Sequence, residues 1–389
     1  PVLLSDVCYA MVYAFFYDRA GAVLHADGIL YRILLILPGL APFTLLGALM
    51  CFRPAIYSSF FLLFFLILYF DYRASGPLTA GKVLLLSMLC AILAFWRSES
   101  IVLLPIAPIL VFFAYKKDHK VRWVGVFFLL TLVFYSLIAL PQKHGEKAYY
   151  GKDYLIISTT RPLSVIVWRD QEYEGAKEDL ANISAVTEFG YLHNDSLSCS
   201  AYTRYNSDHN EGRYTQTGAD AETQQRYIKS AINLILHNFD LYLGERAQLF
   251  CVTNGIFSYD KDWVLNLKPV VSTDFHLYEH DRDYGFEMLD AYRRLPIEHR
   301  DGYALFLYKF GGEILIPFLI AALILLIGCL VKKKWFLFFV FAALLGREGV
   351  IFLTAPASFV QYSYPTMYTV FALLLCFIVH PKRTNTEGF

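Results

Sequence analysis

Val124-Gly-Val-Phe-Phe-Leu-Leu-Thr-Leu-Val-Phe-Tyr-Ser-Leu-Ile-Ala-Leu140 runs for 17 residues without a charge. As an α-helix rising about 1.5 Å per residue, it comes close to crossing a hydrocarbon core of ~30 Å. Residues 314–331 form a second run of the same kind. Lipid offers no hydrogen-bond partner to bare backbone, so such a stretch spans as a helix or as part of a closed barrel. Working outward from 124–140, six apolar runs fill residues 1–140, a mostly polar stretch covers 141–308, and three more apolar runs lie in 309–389. The expected fold is mainly α. It is a polytopic helical membrane bundle of about nine transmembrane runs, with one large, mixed but mostly helical extracytoplasmic domain at 141–308 and a short cytoplasmic tail.

Composition points the same way, with 57% apolar and 17% aromatic residues and a mean hydropathy of +0.43, too apolar for a water-soluble domain of this length. The net charge of zero hides a partition. Residues 141–308 hold 17 basic and 25 acidic side chains, a balance of −8, and the remainder carries +8. An acidic external domain on a membrane base fits this and argues against nucleic acid as a partner. Orientation follows from the basic connections, which favour the cytoplasm. Lys116, Lys117, Lys120 and Arg122 form one, Lys332, Lys333 and Lys334 another, and Lys382 and Arg383 a third. From these, 141–308, the Arg97-Ser98-Glu99 connection and the 355–360 link come out on the opposite face, with 71–82 and 18–27 inside. The chain enters directly into an apolar run at 7–17 with no basic leader region, so an amino-terminal segment is expected to precede it.

Of seven cysteines, Cys8, Cys51, Cys90, Cys329 and Cys376 lie in or beside apolar runs and read as packing residues. Cys199 and Cys251 fall in the polar stretch and could pair in an oxidising compartment. Within that stretch, Ile228, Ala231, Ile232, Ile235, Leu236, Phe239, Leu243, Ala247 and Phe250 recur at helical spacing over 221–252. Asn238-Phe239-Asp240 is the expected break, with Asp240 capping a second helix. A further helix is expected over 172–189, and 194–218 reads as loop. Asn182 and Asn194 fit the glycosylation acceptor pattern. His276 and His280 stand among Asp274, Glu279, Asp281 and Asp283, yet lack a zinc or calcium signature, and a solvated acidic loop is the plainer reading. Asp260-x-Asp262 is a lone acidic pair. No metal site or cofactor is expected, though a divalent metal stays open. No nucleotide-binding or hydrolase motif is present.

The charges beside apolar runs carry more information, because placing them there is costly. Arg97 and Glu99 stand between two apolar runs at the expected outer face. Arg347 and Glu348 lie near the outer end of their run, and Gln361, Tyr362 and Tyr364 open the last one. Arg97 and Arg347 break the inside bias of the basic residues. An arginine at that depth suits a phosphate oxygen pair. The alternative is that Arg97–Glu99 and Arg347–Glu348 are structural ion pairs. If the residues share one site, Arg97 and Arg347 must stand close together.

Ile92-Leu-Ala-Phe-Trp-Arg97-Ser-Glu99-Ser-Ile-Val-Leu-Leu-Pro105, Ile235-Leu-His-Asn-Phe-Asp-Leu-Tyr-Leu-Gly-Glu-Arg246-Ala-Gln-Leu-Phe250 and Gln361-Tyr362-Ser-Tyr364-Pro365, in this layout, resemble the polytopic GT-C type glycosyltransferases. Gln361 stands where that family usually has arginine. The resemblance implies transfer of a sugar from a polyprenyl-phosphate carrier to an acceptor at the extracytoplasmic face; a bacterial cytoplasmic membrane is the expected setting, with the endoplasmic reticulum as the alternative. It implies Arg97 and Arg347 on the lipid phosphate, Glu99 and Glu348 orienting them, and Tyr362 and Tyr364 along the sugar pocket. The family's catalytic acid lies in a first external loop that would precede this chain, and Asp6, the acid nearest the outer end of the first run, is not promoted to that role. A lipid-linked polysaccharide polymerase or ligase, or a non-enzymatic transporter or receptor-like protein, remain the alternatives.

Overall fold

The computed structural model describes residues 2–24, 28–41, 44, 53–115, 120–145, 154–187, 189, 220–253, 315–355 and 362–379. Gln361, Cys199, the side chain of Cys251, Asn194, the 260–283 acidic positions with His276 and His280, and the basic groups at 116–120 and 382–383 lie outside the described residues and side chains. Every helix and strand position among the described residues is helical, and the chain divides into two compact bodies. One comprises Pro1–Pro141, Tyr284–Gly349 and Val360–Phe389, the other Gln142–Asp283 with Val350–Phe359.

The first body contains α1 (Val2–Leu24), α2 (Ile29–Leu40), α3 (Arg53–Ala74), α4 (Ala80–Trp96), a 3-10 turn (Ser98–Val102), α5 (Leu103–Ala114), α6 (Lys120–Gly145) up to Pro141, α11 (Leu315–Val331), α12 (Trp335–Thr354) up to Gly349, and α13 (Tyr364–Val379). Three of these hold stretches long and apolar enough to cross a membrane: Ala55–Ala74, Val121–Pro141 and Trp335–Thr354. Five shorter helical stretches, Ile29–Leu40, Ala80–Trp96, Glu99–Ala114, Leu315–Val331 and Tyr364–Val379, are also apolar.

Helix α3 is the centre of this body and packs on α1, α4, α5 and α13. Tyr57, Phe61, Leu62, Phe64, Phe65, Leu66, Leu68, Tyr69 and Phe70 are all buried, and the remaining face, Ile56, Phe60, Leu63 and Ile67, is apolar and partly buried. A helix that is apolar all round has no water-facing side to offer. At the other extreme, only 11% of the Val121–Pro141 window is buried, and Phe128, Leu129, Leu132, Val133, Leu137 and Leu140 point outward. Ile320, Leu323, Ile324, Ile327 and Leu330 do the same on α11. Outward apolar rows this long suit lipid and not water. The first body is thus built as a helical membrane protein.

One end of α3 is fastened by a polar clasp. Lys82 Nζ lies 2.9 and 2.8 Å from the two Asp71 carboxylate oxygens. Tyr115, just past α5, donates to Asp71 Oδ2 at 2.5 Å. Ser75 takes a left-handed φ of 51° to make the turn, a conformation costly for a residue with a Cβ. A Cβ on Gly76 would stand 3.2 Å from Asp71 Oδ1 and 3.4 Å from Lys82 Nζ, so a side chain there presses on the ion pair.

The second body holds α7 (Tyr154–Ile166), α8 (Ala176–Ser184), α9 (Ala221–His237) and α10 (Phe239–Thr253), together with the last turn of α12. Its core is Ile156, Leu163, Ile166, Val167, Ile183, Val186, Tyr227, Ala231 and Leu234. Asp220 caps α9 by accepting from the Thr223 amide at 2.7 Å. The break between α9 and α10 falls at Asn238, whose buried amide donates to Gln171 Oε1 at 2.7 Å and to Leu234 O at 2.9 Å. Asp240 stands in the first turn of α10 and accepts two bonds from Arg169, at 3.0 and 2.8 Å, which hold its carboxyl below the usual range. The helix expected over 172–189 is shorter, because Gly175 turns the chain at φ 91° immediately before it. Helix α7 has no counterpart among the expected elements.

The clasp makes a direct prediction. Asp71→Ala should lower stability by about 1.5–3 kcal/mol, the range for hydrogen bonds to a charged group, and Tyr115→Phe by less. Thermal unfolding in detergent measures both. An Asp71→Ala protein that melts with the parent would show that the three helix ends are held by other means.

Candidate functional site

The charged residues at the end of α4, in the 3-10 turn and within α12 converge on one carboxylate. Arg97 ends α4 in an extended conformation, φ −135° and ψ 125°, and the chain then tightens into the 3-10 turn. This brings Glu99 back toward Arg97, whose Nε donates to Glu99 Oε1 at 2.7 Å. Arg347, within α12, donates from Nη2 to the same oxygen at 3.1 Å. Arg97 and Arg347 therefore share a partner atom.

Arg347 is 1% exposed. Removing a guanidinium from water costs several kcal/mol unless its donors are met, and here each nitrogen is engaged. Besides the Glu99 bond, Nη1 donates to Glu348 Oε1 at 3.1 Å and Nε to Ser100 Oγ at 3.4 Å. The Tyr57 hydroxyl is hydrogen-bonded to Ser100 Oγ. The guanidinium carbon lies 5.7 Å from the Tyr57 ring centre and 5.4 Å from that of Phe61, within cation–π range. Glu348 is likewise complete: Thr366 donates to Oε1 at 2.5 Å and Ser363 to Oε2 at 2.8 Å. Two guanidiniums balance two carboxylates.

Arg97 differs from Arg347. Its side chain is 14% exposed, and its guanidinium lies over the Tyr362 ring at 4.8 Å. Its Nη2 is buried with no hydrogen-bond partner among the described residues. A buried unmet donor is expensive, so this nitrogen is where the cluster has binding capacity left.

Of the residues singled out in the sequence, Arg97, Glu99, Arg347, Glu348 and Tyr362 come together. Tyr364 is buried and its ring stacks on Tyr368 at 5.9 Å. Gln361 lies outside the described residues. Sequence reading missed Tyr57, Ser100, Ser363 and Thr366. Ser100 had a usable signal, since it follows Glu99 in a connection between apolar runs. Ser363 and Thr366 are three apart and so share a helical face, but nothing in the sequence ties them to Glu348. Among the described residues no group of three or more His, Cys, Asp or Glu could hold a metal ion.

Unequal pairing predicts unequal costs. Arg347→Ala leaves buried carboxylates uncompensated and should cost about 3–5 kcal/mol. Arg97→Ala also leaves one carboxylate in excess, but it keeps Glu99 paired with Arg347 and removes an unmet donor, so it should cost less than Arg347→Ala. Unfolding of the two variants in detergent gives the difference, and equal losses would mean that the charges are not arranged as described.

No protein-family model matches the chain, and no curated protein or solved structure shows significant similarity to it.

Proposed function

We propose that the chain is a membrane glycosyltransferase that takes a sugar from a polyprenyl-phosphate carrier, and that Arg97 contacts the carrier's phosphate. In this reading nine helices span the membrane of a bacterial cell, and residues 141–308 face outward. The observation that carries the proposal is the unpartnered Nη2 donor of Arg97, a side chain held in place by Glu99 and Tyr362. A phosphate oxygen is the natural acceptor for an arginine N–H at the edge of lipid.

The cluster divides the work. Arg347 has its donors engaged and acts as a positioning residue, fixing Glu99, which in turn aims Arg97. Glu348 is held by Ser363 and Thr366 and balances Arg347. Neither carboxylate is free to serve as a general base, so the cluster is the phosphate-holding part of the site. In the transfer, an acceptor oxygen attacks the anomeric carbon and the bond from that carbon to the phosphate oxygen breaks. The electron pair leaves with the lipid phosphate, and a base takes the acceptor's proton. Arg97 would steady the negative charge that grows on the departing phosphate.

Binding of polyprenyl phosphate to the protein in nanodiscs, followed by native mass spectrometry with polyprenol as the control, tests this reading. Arg97→Ala should weaken polyprenyl phosphate about 10- to 100-fold, as expected for loss of a charge-assisted bond, and leave polyprenol unchanged. Arg97→Lys should retain part of the affinity. If the parent does not distinguish the phosphate from the alcohol, or Arg97→Ala binds both as the parent does, the proposal fails.

A further inference from the structure

The second body carries an apolar stripe that its core leaves uncovered. On α9 the exposed positions Glu222, Gln225, Lys229, Ile232 and Leu236 follow helical spacing along one face. That face is polar where the helix begins and apolar where it ends. Ile232 is 50% and Leu236 64% exposed, and α10 continues with Phe239 at 48% and Leu243 at 37%. Trp168, 54% exposed, belongs to the same end. Its neighbour Arg169 is bonded to Asp240, and Gln171 accepts from Asn238.

The depth of this end is set by what α10 grips. The Tyr242 hydroxyl donates to Leu353 O at 2.6 Å. Arg246 is fully buried, donates to Glu245 at 2.5 Å and reaches Ala355 O at 2.6 Å. The Phe250 and Phe352 rings meet edge to face at 5.9 Å. Leu353 and Ala355 mark the end of α12, whose 20 residues are long and apolar enough to cross a membrane. Helix α10 is thus fastened to the last turn of a membrane-length helix.

We propose that the end of α9 and the start of α10, with Trp168, lie in the interfacial layer of the lipid bilayer. Aromatic and aliphatic side chains are favoured there. Lys229, at the boundary between the polar and apolar parts of the stripe, can keep its ammonium in water while its stem lies along the apolar part. The direction of the gradient selects lipid over a protein partner. A protein interface places an apolar centre inside a polar rim, whereas polarity here changes one way along a single helix, as it does across a water–lipid boundary.

The test is photocrosslinking of the full chain in liposomes of phosphatidylethanolamine and phosphatidylglycerol. Leu236→benzoylphenylalanine, Phe239→benzoylphenylalanine and Gln225→benzoylphenylalanine are irradiated separately and the adducts weighed. Lipid adducts at positions 236 and 239, with none at 225, are expected. Crosslinks at 236 and 239 to another polypeptide or another segment of this chain would overturn the proposal, as would the absence of any adduct at these positions.

Discussion

One oxygen atom, Glu99 Oε1, accepts from both Arg97 and Arg347, at 2.7 and 3.1 Å. The polar arrangement of the first body depends on this shared acceptor. Arg347 can be buried only because Glu99, Glu348 and Ser100 meet its nitrogens. Tyr57 braces Ser100 from α3, while Ser363 and Thr366 brace Glu348 from the start of α13. The ends of α3 and α13, the 3-10 turn and the middle of α12 are thereby held to one charge-neutral centre. Arg97 is the member whose hydrogen-bonding capacity is not exhausted within it.

The second body repeats the device in a different setting. Arg246 is also fully buried and also neighbours a glutamate, Glu245. Adjacent residues on a helix do not normally face each other, but the long arginine stem allows the contact. Arg246 finds its remaining acceptor in a backbone carbonyl at the end of α12. Its Nη2 makes no hydrogen bond among the described residues but stands 2.5 Å from Glu245 Oε2, so the charge, unlike the donor, is met within the protein.

What could be read in the sequence follows from cost. Apolar runs announce helices because lipid leaves the backbone no other partner, and α3, α4, α5, α6, α11, α12 and α13 lie where such runs occur. Arg97, Glu99, Arg347 and Glu348 stood out because charges among apolar residues need a reason. Their hydroxyl partners did not, since Ser, Thr and Tyr are ordinary in membrane helices and pairing between Ser100 and Arg347 spans most of the chain. Helix α7 was hidden by its β-branched residues and Pro162, which weaken a helical signal that tertiary packing then overrides. The Asp71–Lys82–Tyr115 clasp was hidden differently: Asp71 and Lys82 marked only the boundary of a connection, and nothing local pointed to Tyr115.

The central claim is that Arg97 carries the unpartnered donor of a centre whose other guanidinium is satisfied. Electron cryomicroscopy of the protein in nanodiscs loaded with polyprenyl phosphate tests it most directly. Phosphate density within hydrogen-bonding reach of Arg97 Nη2, about 3 Å, with Glu99 still bridging Arg97 and Arg347, is the predicted result. Phosphate bound away from Arg97, or Arg97 and Arg347 on separate partners, would contradict it.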